Sequence, residues 1–333
     1  MYKKPLLVIS VLALLLTFSE ILLRLQGFQH RQGGISQGVQ IMPNHLLAFD
    51  SLLGIRTVPG KYDVALLNKR FVITVDSEGH RITGPKSRST DTGITHIFFL
   101  GGPSTFGFGI NDSETYPWYV QESLPGYDIK NISMLHFGLA ENYVQLTQLT
   151  KLNSGDIIVY VYHSSQDSRG AKLFDKHRNL LPDLDSVVPN YHYLLIDSNL
   201  KTHLHKYKHY SIPFSNCLAL SNYFEETINS VSNNNDAAHE ITEKALLAMN
   251  NFCERKNCRF ILIYRRDNKY NQETIKFCRE HGIKAASISA DISLRRSGQT
   301  SLGDSNKNFA GQLVNYLVTC KFIYSTGTQT NLR

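Results

Sequence analysis

From Thr95 to Val318 the chain alternates short, almost uninterrupted apolar runs with stretches whose apolar residues recur at helical spacing. Few folds accept that pattern: a strand without polar alternation is covered on both faces, and its alternation with helices implies βαβ units and a parallel sheet. Strands are expected at His96 to Gly101, Ile129 to Leu135, Asp156 to Tyr162, Arg259 to Tyr264 and Lys284 to Ile288. Helices are expected at Glu114 to Ser123, Glu141 to Lys151, Ala237 to Glu254, Asn271 to His281 and Asn306 to Val318. Asn111, Asp112 and Ser113 are N-cap candidates for the first of these helices. Ser168 to Asn235 is poorly periodic and aromatic-rich, and is expected to be an insertion over the site edge.

Within this frame, Phe98 to Gly109 reads Phe-Phe-Leu-Gly-Gly-Pro-Ser-Thr-Phe-Gly-Phe-Gly, a buried strand running into a glycine-rich turn with hydroxyls at its tip. Glycines permit a tight turn and close backbone approach, so Ser104 and Thr105 are expected at the carboxyl edge of the sheet, where α/β proteins place ligands.

The N-terminus supplies an address. Lys3 and Lys4 precede an apolar run from Pro5 to Ser19 that continues through Glu20 into Ile21, Leu22 and Leu23 before Arg24. This is close to the lower limit for a spanning helix, with Glu20 at the far interface. No small-x-small cleavage site follows, which favours an uncleaved anchor over a signal peptide. Positive residues ahead of the helix direct the remainder outward. Gln26 to Asn44 reads as a linker, and residues 45–92 as a small β module with strands at Tyr62 to Leu66 and Arg70 to Val75. The α/β domain occupies 93–320, with 168–235 as its insertion, and 321–333 is a tail.

The 333 residues carry a net charge of +7 but no arginine-rich run, so nucleic acid is not an expected partner. The cluster His203 to His209 lacks a set of Cys or Asp ligands and reads as a solvated basic face; no metal or other cofactor is expected. Five irregularly spaced cysteines do not form a disulfide framework, and buried packing is the expected role of most.

The turn at Gly101 to Asp112 and the segments after it resemble the SGNH/GDSL hydrolases in their bacterial membrane-anchored form. The phrases Glu20-Ile-Leu-Leu-Arg24 and Asp76-Ser-Glu-Gly-His-Arg81 resemble the anchor exit and pre-domain of those proteins. The resemblance implies a flavodoxin-like parallel sheet sandwiched by helices, preceded by a transmembrane helix and the β module. It also implies four blocks at strand ends: a serine nucleophile, glycine and asparagine oxyanion donors, and a C-terminal Asp-x-x-His.

This chain departs from the family at each block. Gly101 and Gly102 are followed by Pro103 where the nucleophile belongs, and proline has neither a hydroxyl nor an N–H. Ser104, one residue on, is either a substitute nucleophile, which requires a one-residue shift of the turn, or a hydroxyl that satisfies the turn. In the second block Gly138 is kept, but Glu141 stands where a glycine amide faces the oxyanion, and its carboxylate would oppose the developing charge. The third block, Tyr162-His-Ser-Ser-Gln-Asp167, puts Gln166 in place of the asparagine and offers His163 as a base. In the last block Asp304 falls at the histidine and Ser301 at its aspartate.

The implied role is therefore an extracytoplasmic protein of the bacterial inner membrane, binding or presenting an envelope glycan or acyl group without hydrolysing it. The alternative is an active O-acyl esterase or transferase using Ser104 with His163 or His136.

Overall fold

The computed structural model describes residues 3–30, 39–66, 69–84, 94–135, 137–149, 152–162, 192–197, 199, 201–206, 210–232, 238–265, 269–288 and 302–323. The chain begins with an apolar helix, α1 (Lys3–Leu25), whose segment Leu7–Leu25 is long and apolar enough to cross a membrane and whose residues are exposed or only partly covered by the protein.

A β module follows. Strands β1 (Val39–Met42), β4 (Gly60–Leu66) and β5 (Lys69–Val75) form an antiparallel sheet in the order β1-β4-β5, and β2 (Leu47–Asp50) pairs with β3 (Gly54–Thr57). The expected linker to Asn44 is corrected here, because Val39–Met42 pairs with β4 as its edge strand. The module's core of Tyr62, Val64, Phe71 and Ile73 is shared with Phe106, Met134, Leu135 and Phe137 from the α/β domain. The module thus packs directly under the segments that carry the first two blocks.

The α/β domain is built on five parallel strands: β6 (His96–Gly101), β7 (Asp128–Asn131), β8 (Ile157–Tyr162), β11 (Arg259–Tyr264) and β12 (Lys284–Ser287). Numbered along the chain, their spatial order is 2-1-3-4-5, the doubly wound flavodoxin-like arrangement. Side-chain alternation assigns the two faces. Ile97, Phe99, Val159 and Ile261 pack beneath α3 (Tyr116–Ser123) and α8 (Leu302–Thr319). Phe98, Leu100, Ile158 and Leu262 pack beneath α4 (Leu139–Thr147), α6 (Ala238–Arg255) and α7 (Lys269–Glu280). The insertion contributes a hairpin, β9 (His192–Ile196) with β10 (Thr202–Lys206), and a helix, α5 (Ala219–Ser232). These described parts pack on α4 and α6 and against α1, and residues 168–191 of the expected insertion lie outside the described residues.

Several boundaries differ from expectation for local reasons. Strand β7 ends at Asn131, where the Asn131 side chain accepts from Ser133 N and Oγ and turns the backbone away. Helix α3 is capped by Thr115, whose hydroxyl accepts from Trp118 N at 3.4 Å, because Asn111 and Asp112 are engaged elsewhere. Helix α4 runs Leu139–Thr147, short of Lys151. Helix α8 starts at Leu302, four residues early, so Asp304 lies in its first turn and Asn306 points inward to Glu114 O.

All five cysteines are free thiols, with Cys253, Cys258 and Cys278 buried. Burial pushes the Cys258 thiol up to about 11 and Cys278 to about 12, marking them as inert packing groups. In the His203 cluster, His203 Nε2 lies 2.7 Å from Asp197 Oδ2, a pairing across the hairpin turn that holds the Asp197 carboxyl down to about 2.

Candidate functional site

The strand order reverses between β6 and β8, and the crevice beyond their carboxyl ends is where a doubly wound sheet binds ligands. The glycine-rich turn lies there. Gly101 has φ +151, and a Cβ on it would clash with Thr105 Oγ1 and lie 2.8 Å from Val161 O, so both conformation and space require glycine. Its N–H donates to Asn142 Oδ1 (3.2 Å) and its carbonyl accepts from Met134 N (3.2 Å), which fixes the end of β6 from two sides.

Pro103 opens a four-residue helix, α2 (Pro103–Phe106), with Gly102 as N-cap. Proline suits a first helical position because its φ is preset and the missing N–H would have no intrahelical partner. Ser104 follows, half-buried, and among the described residues no side chain is hydrogen-bonded to its hydroxyl. Below it Thr105 is buried beside Tyr116, whose phenol is pushed well above its usual range by desolvation.

What holds this turn is Arg81 from the β module, wholly buried and saturated. Its Nε donates to Asp112 Oδ1 (2.9 Å). Nη1 donates to the carbonyls of Phe106 (2.7 Å) and Gly107 (2.6 Å), and Nη2 to those of Ile110 (2.8 Å) and Val72 (3.1 Å). The guanidinium also lies 5.4 Å from the Phe106 ring centroid. Burial pulls its pKa down, and Asp112 opposes that shift. Asn111 Oδ1 and Asp112 Oδ1 accept from Val72 N (3.0 Å) and Thr74 N (3.1 Å), stitching the loop to the edge of β5. The Asn-Asp pair expected to cap a helix instead ties the β module to the turn. The clamp was missed in the sequence, although the phrase ending in Arg81 was its signal.

The second block also differs from expectation. Glu141 does not present its charge to the crevice. Its Oε2 accepts from Gly138 N (3.0 Å) as the third residue of a capping box, and its Oε1 accepts from Leu194 N (3.0 Å) on β9. Asn142, not foreseen, is fully buried and bridges Gly138 O (2.6 Å) to Gly101 N.

His163 and Gln166, with His136 and Ser301, lie outside the described residues. Asp304 is exposed on α8, next to Tyr119 and the Asp112–Glu114 turn. The structure therefore brings Gly102, Pro103, Ser104 and Gly138 to the end of the sheet and turns Glu141 into a structural brace.

Two features lie apart from the crevice. A cavity of about 520 Å³ flanks edge strand β7, lined by Trp118, Gln121, Lys130 and Asp76 among others. Asp76, Glu78 and His80 bring possible metal-ligand atoms within 4.8 Å of one another, but Asp76 Oδ1 is already engaged by the Glu78 and His80 N–H groups.

No protein-family model matches the chain, and no curated protein matches its sequence. Among solved structures it is similar to a protein described as lipolytic and of the G-D-S-L family, from Desulfitobacterium hafniense DCB-2. Identity there is 10%, covering 66% of this chain and 98% of that one at a TM-score of 0.35. It is also similar to a gut microbial diltiazem-metabolizing enzyme, at 10% identity over 70% of this chain and 48% of that one, with a TM-score of 0.32. The strand order and the turn after β6, rather than these scores, define the class. The chain has a doubly wound, flavodoxin-like α/β fold, with an apolar N-terminal helix and a small β module ahead of it.

Proposed function

We propose that this chain is a membrane-tethered protein of the bacterial inner membrane, facing the periplasm, whose SGNH-like crevice binds or presents an envelope glycan or acyl group without hydrolysing it. The observation that carries this reading is Pro103 at the first position of α2. At that site a hydrolase needs a hydroxyl and a backbone donor together, and proline supplies neither. The neighbouring Ser104 hydroxyl has no hydrogen-bonded base among the described residues. Retention of α1 is supported by its bonds to the domain, because Glu20 accepts from the Ala219 and Leu220 N–H groups at 2.9 and 2.8 Å. The periplasmic orientation rests on Lys3 and Lys4 ahead of the span.

The test is esterase activity of the detergent-solubilised full chain on p-nitrophenyl acetate. Losing one oxyanion donor lowers such rates about a hundredfold to a thousandfold, so wild type and Ser104→Ala should both run at the buffer rate. A wild-type rate well above buffer that vanishes in folded Ser104→Ala would instead establish the O-acyl esterase. That second reading is favoured by one feature, the half-buried Ser104 hydroxyl at the switch point, which has no hydrogen-bond partner among the described residues.

A further inference from the structure

Helix α5 is inside out. At 100° per residue, Asn222, Glu225 and Asn229 share one face, and it is this polar face that is buried. Asn229 accepts from Tyr210 N (2.7 Å) and donates to Tyr210 O (2.9 Å). Glu225 Oε2 accepts from Ile212 N (2.8 Å) and Ser215 Oγ (2.7 Å), and Asn222 donates to Gln29 O (2.9 Å). The opposite face is open and mainly apolar: Phe224 is 50% exposed, Ile228 41% and Val231 72%, Phe214 in the preceding turn reaches 68%, and the exposed Thr227 among them donates its hydroxyl to Tyr223 O (2.7 Å). A helix on an aqueous surface has the reverse arrangement.

Its position says what covers that face. Glu20 of α1 caps the α5 N-terminus through the Ala219 and Leu220 N–H groups, Arg24 Nη2 donates to Cys217 O (3.1 Å), and Phe28 packs edge-on against Tyr223 at 5.3 Å. Glu20 lies five residues before the end of α1 at Leu25, which at 1.5 Å per residue is about 7.5 Å along the helix. Interfacial helices bury their apolar face about 5–10 Å into the headgroup and acyl boundary, so α5 starts at the depth such a helix occupies. The same contact answers why a carboxylate is tolerated in an apolar span: it is held by the two N–H groups that open α5 and by Arg24 Nε at 2.7 Å.

We infer that α5 is a second membrane element, an in-plane helix that lies on the bilayer with Phe214, Phe224, Ile228 and Val231 in the lipid and is joined at a fixed angle to α1. This rests on the reading of α1 as a retained anchor. The domain is then held on the surface in one orientation, rather than hanging from a flexible stalk.

The test uses the full chain in vesicles of phosphatidylethanolamine and phosphatidylglycerol, with Trp118→Phe to remove the single native tryptophan. One reporter is Phe224→Trp on α5, and a second, in a separate protein, is Leu12→Trp in mid α1. Lipids brominated near the headgroup should quench the position-224 reporter about twofold more than lipids brominated at the bilayer centre, and aqueous acrylamide should quench it weakly. The position-12 reporter should respond to the central bromines. Strong acrylamide quenching at 224 without lipid quenching, while position 12 is deep, would overturn the in-plane helix and leave the anchor standing. No response to either quencher at 224 would also overturn it, in favour of a second copy or another protein on that face. A position-12 reporter untouched by lipid would refute the anchor itself.

Discussion

Replacing Arg81 with methionine keeps most of the aliphatic stem and removes all five donated hydrogen bonds. Asp112 retains Thr74 N, but the carbonyls of Phe106, Gly107, Ile110 and Val72 lose their charged partner inside a closed core. Each stranded group alone is worth about 1–3 kcal/mol if it stays dry, and relaxation shares such losses, so the sum is an upper limit. Removing one member of a buried ion pair typically destabilises by about 3–5 kcal/mol, and that is the expected value here. For a domain of this size it lowers Tm by about 6–20 °C. Arg81→Lys should recover only part of this, because an ammonium has three donors and cannot reproduce the planar fork. The assay is a thermal melt of the solubilised full chain, with Arg81→Met, Asp112→Asn and the double variant forming a cycle. A coupling of about 1–3 kcal/mol is expected. A shift for Arg81→Met below about 2 °C, or strictly additive single effects, would refute the view that this clamp organises the turn.

Three further outcomes follow from two polar side chains, the partly buried His96 and the buried Glu141. His96, at the amino end of β6, is hydrogen-bonded to Asp156 (3.2 Å), with Asp128 also near; these hold its pKa above the usual value, against burial and Lys130. Its stabilising contribution is complete below the unfolded pKa near 6.5 and is lost as pH rises through the raised folded value, so the urea midpoint gap between wild type and His96→Gln should narrow from about pH 5.5 to about pH 9; an unchanged gap would remove the assignment. Glu141→Ala, which strands Gly138 N and Leu194 N, should lower stability by about 1–3 kcal/mol in the same urea assay, while Glu141→Gly should leave esterase activity at the buffer rate, since the carboxylate is turned away from the crevice.

Much of the architecture was legible in order along the chain. His96–Gly101 and Arg259–Tyr264 match their expected bounds, because a run of apolar, β-forming residues is a local signal that survives any tertiary context covering both faces. The proline at position 103, directly after Gly101 and Gly102, is likewise a matter of residue identity. The sequence alone therefore determined that the chain would make a parallel sheet with a spanning-length helix ahead of it, and that a proline would follow the two glycines at the end of β6.

Which partner satisfies each buried polar group was decided only in three dimensions. Arg81 meets carbonyls 25 and more positions away, Asn111 and Asp112 bond a strand nearly 40 residues earlier instead of capping α3, and Glu141 braces a hairpin 53 positions later. The inside-out α5 has the same origin, because its polar residues are drawn inward by the backbone at Tyr210 and Ile212, and its apolar face is left to the surface beside α1. Periodicity reports how a segment divides its own faces. It cannot report which distant backbone group arrives at either face, because that depends on chain closure across the whole fold.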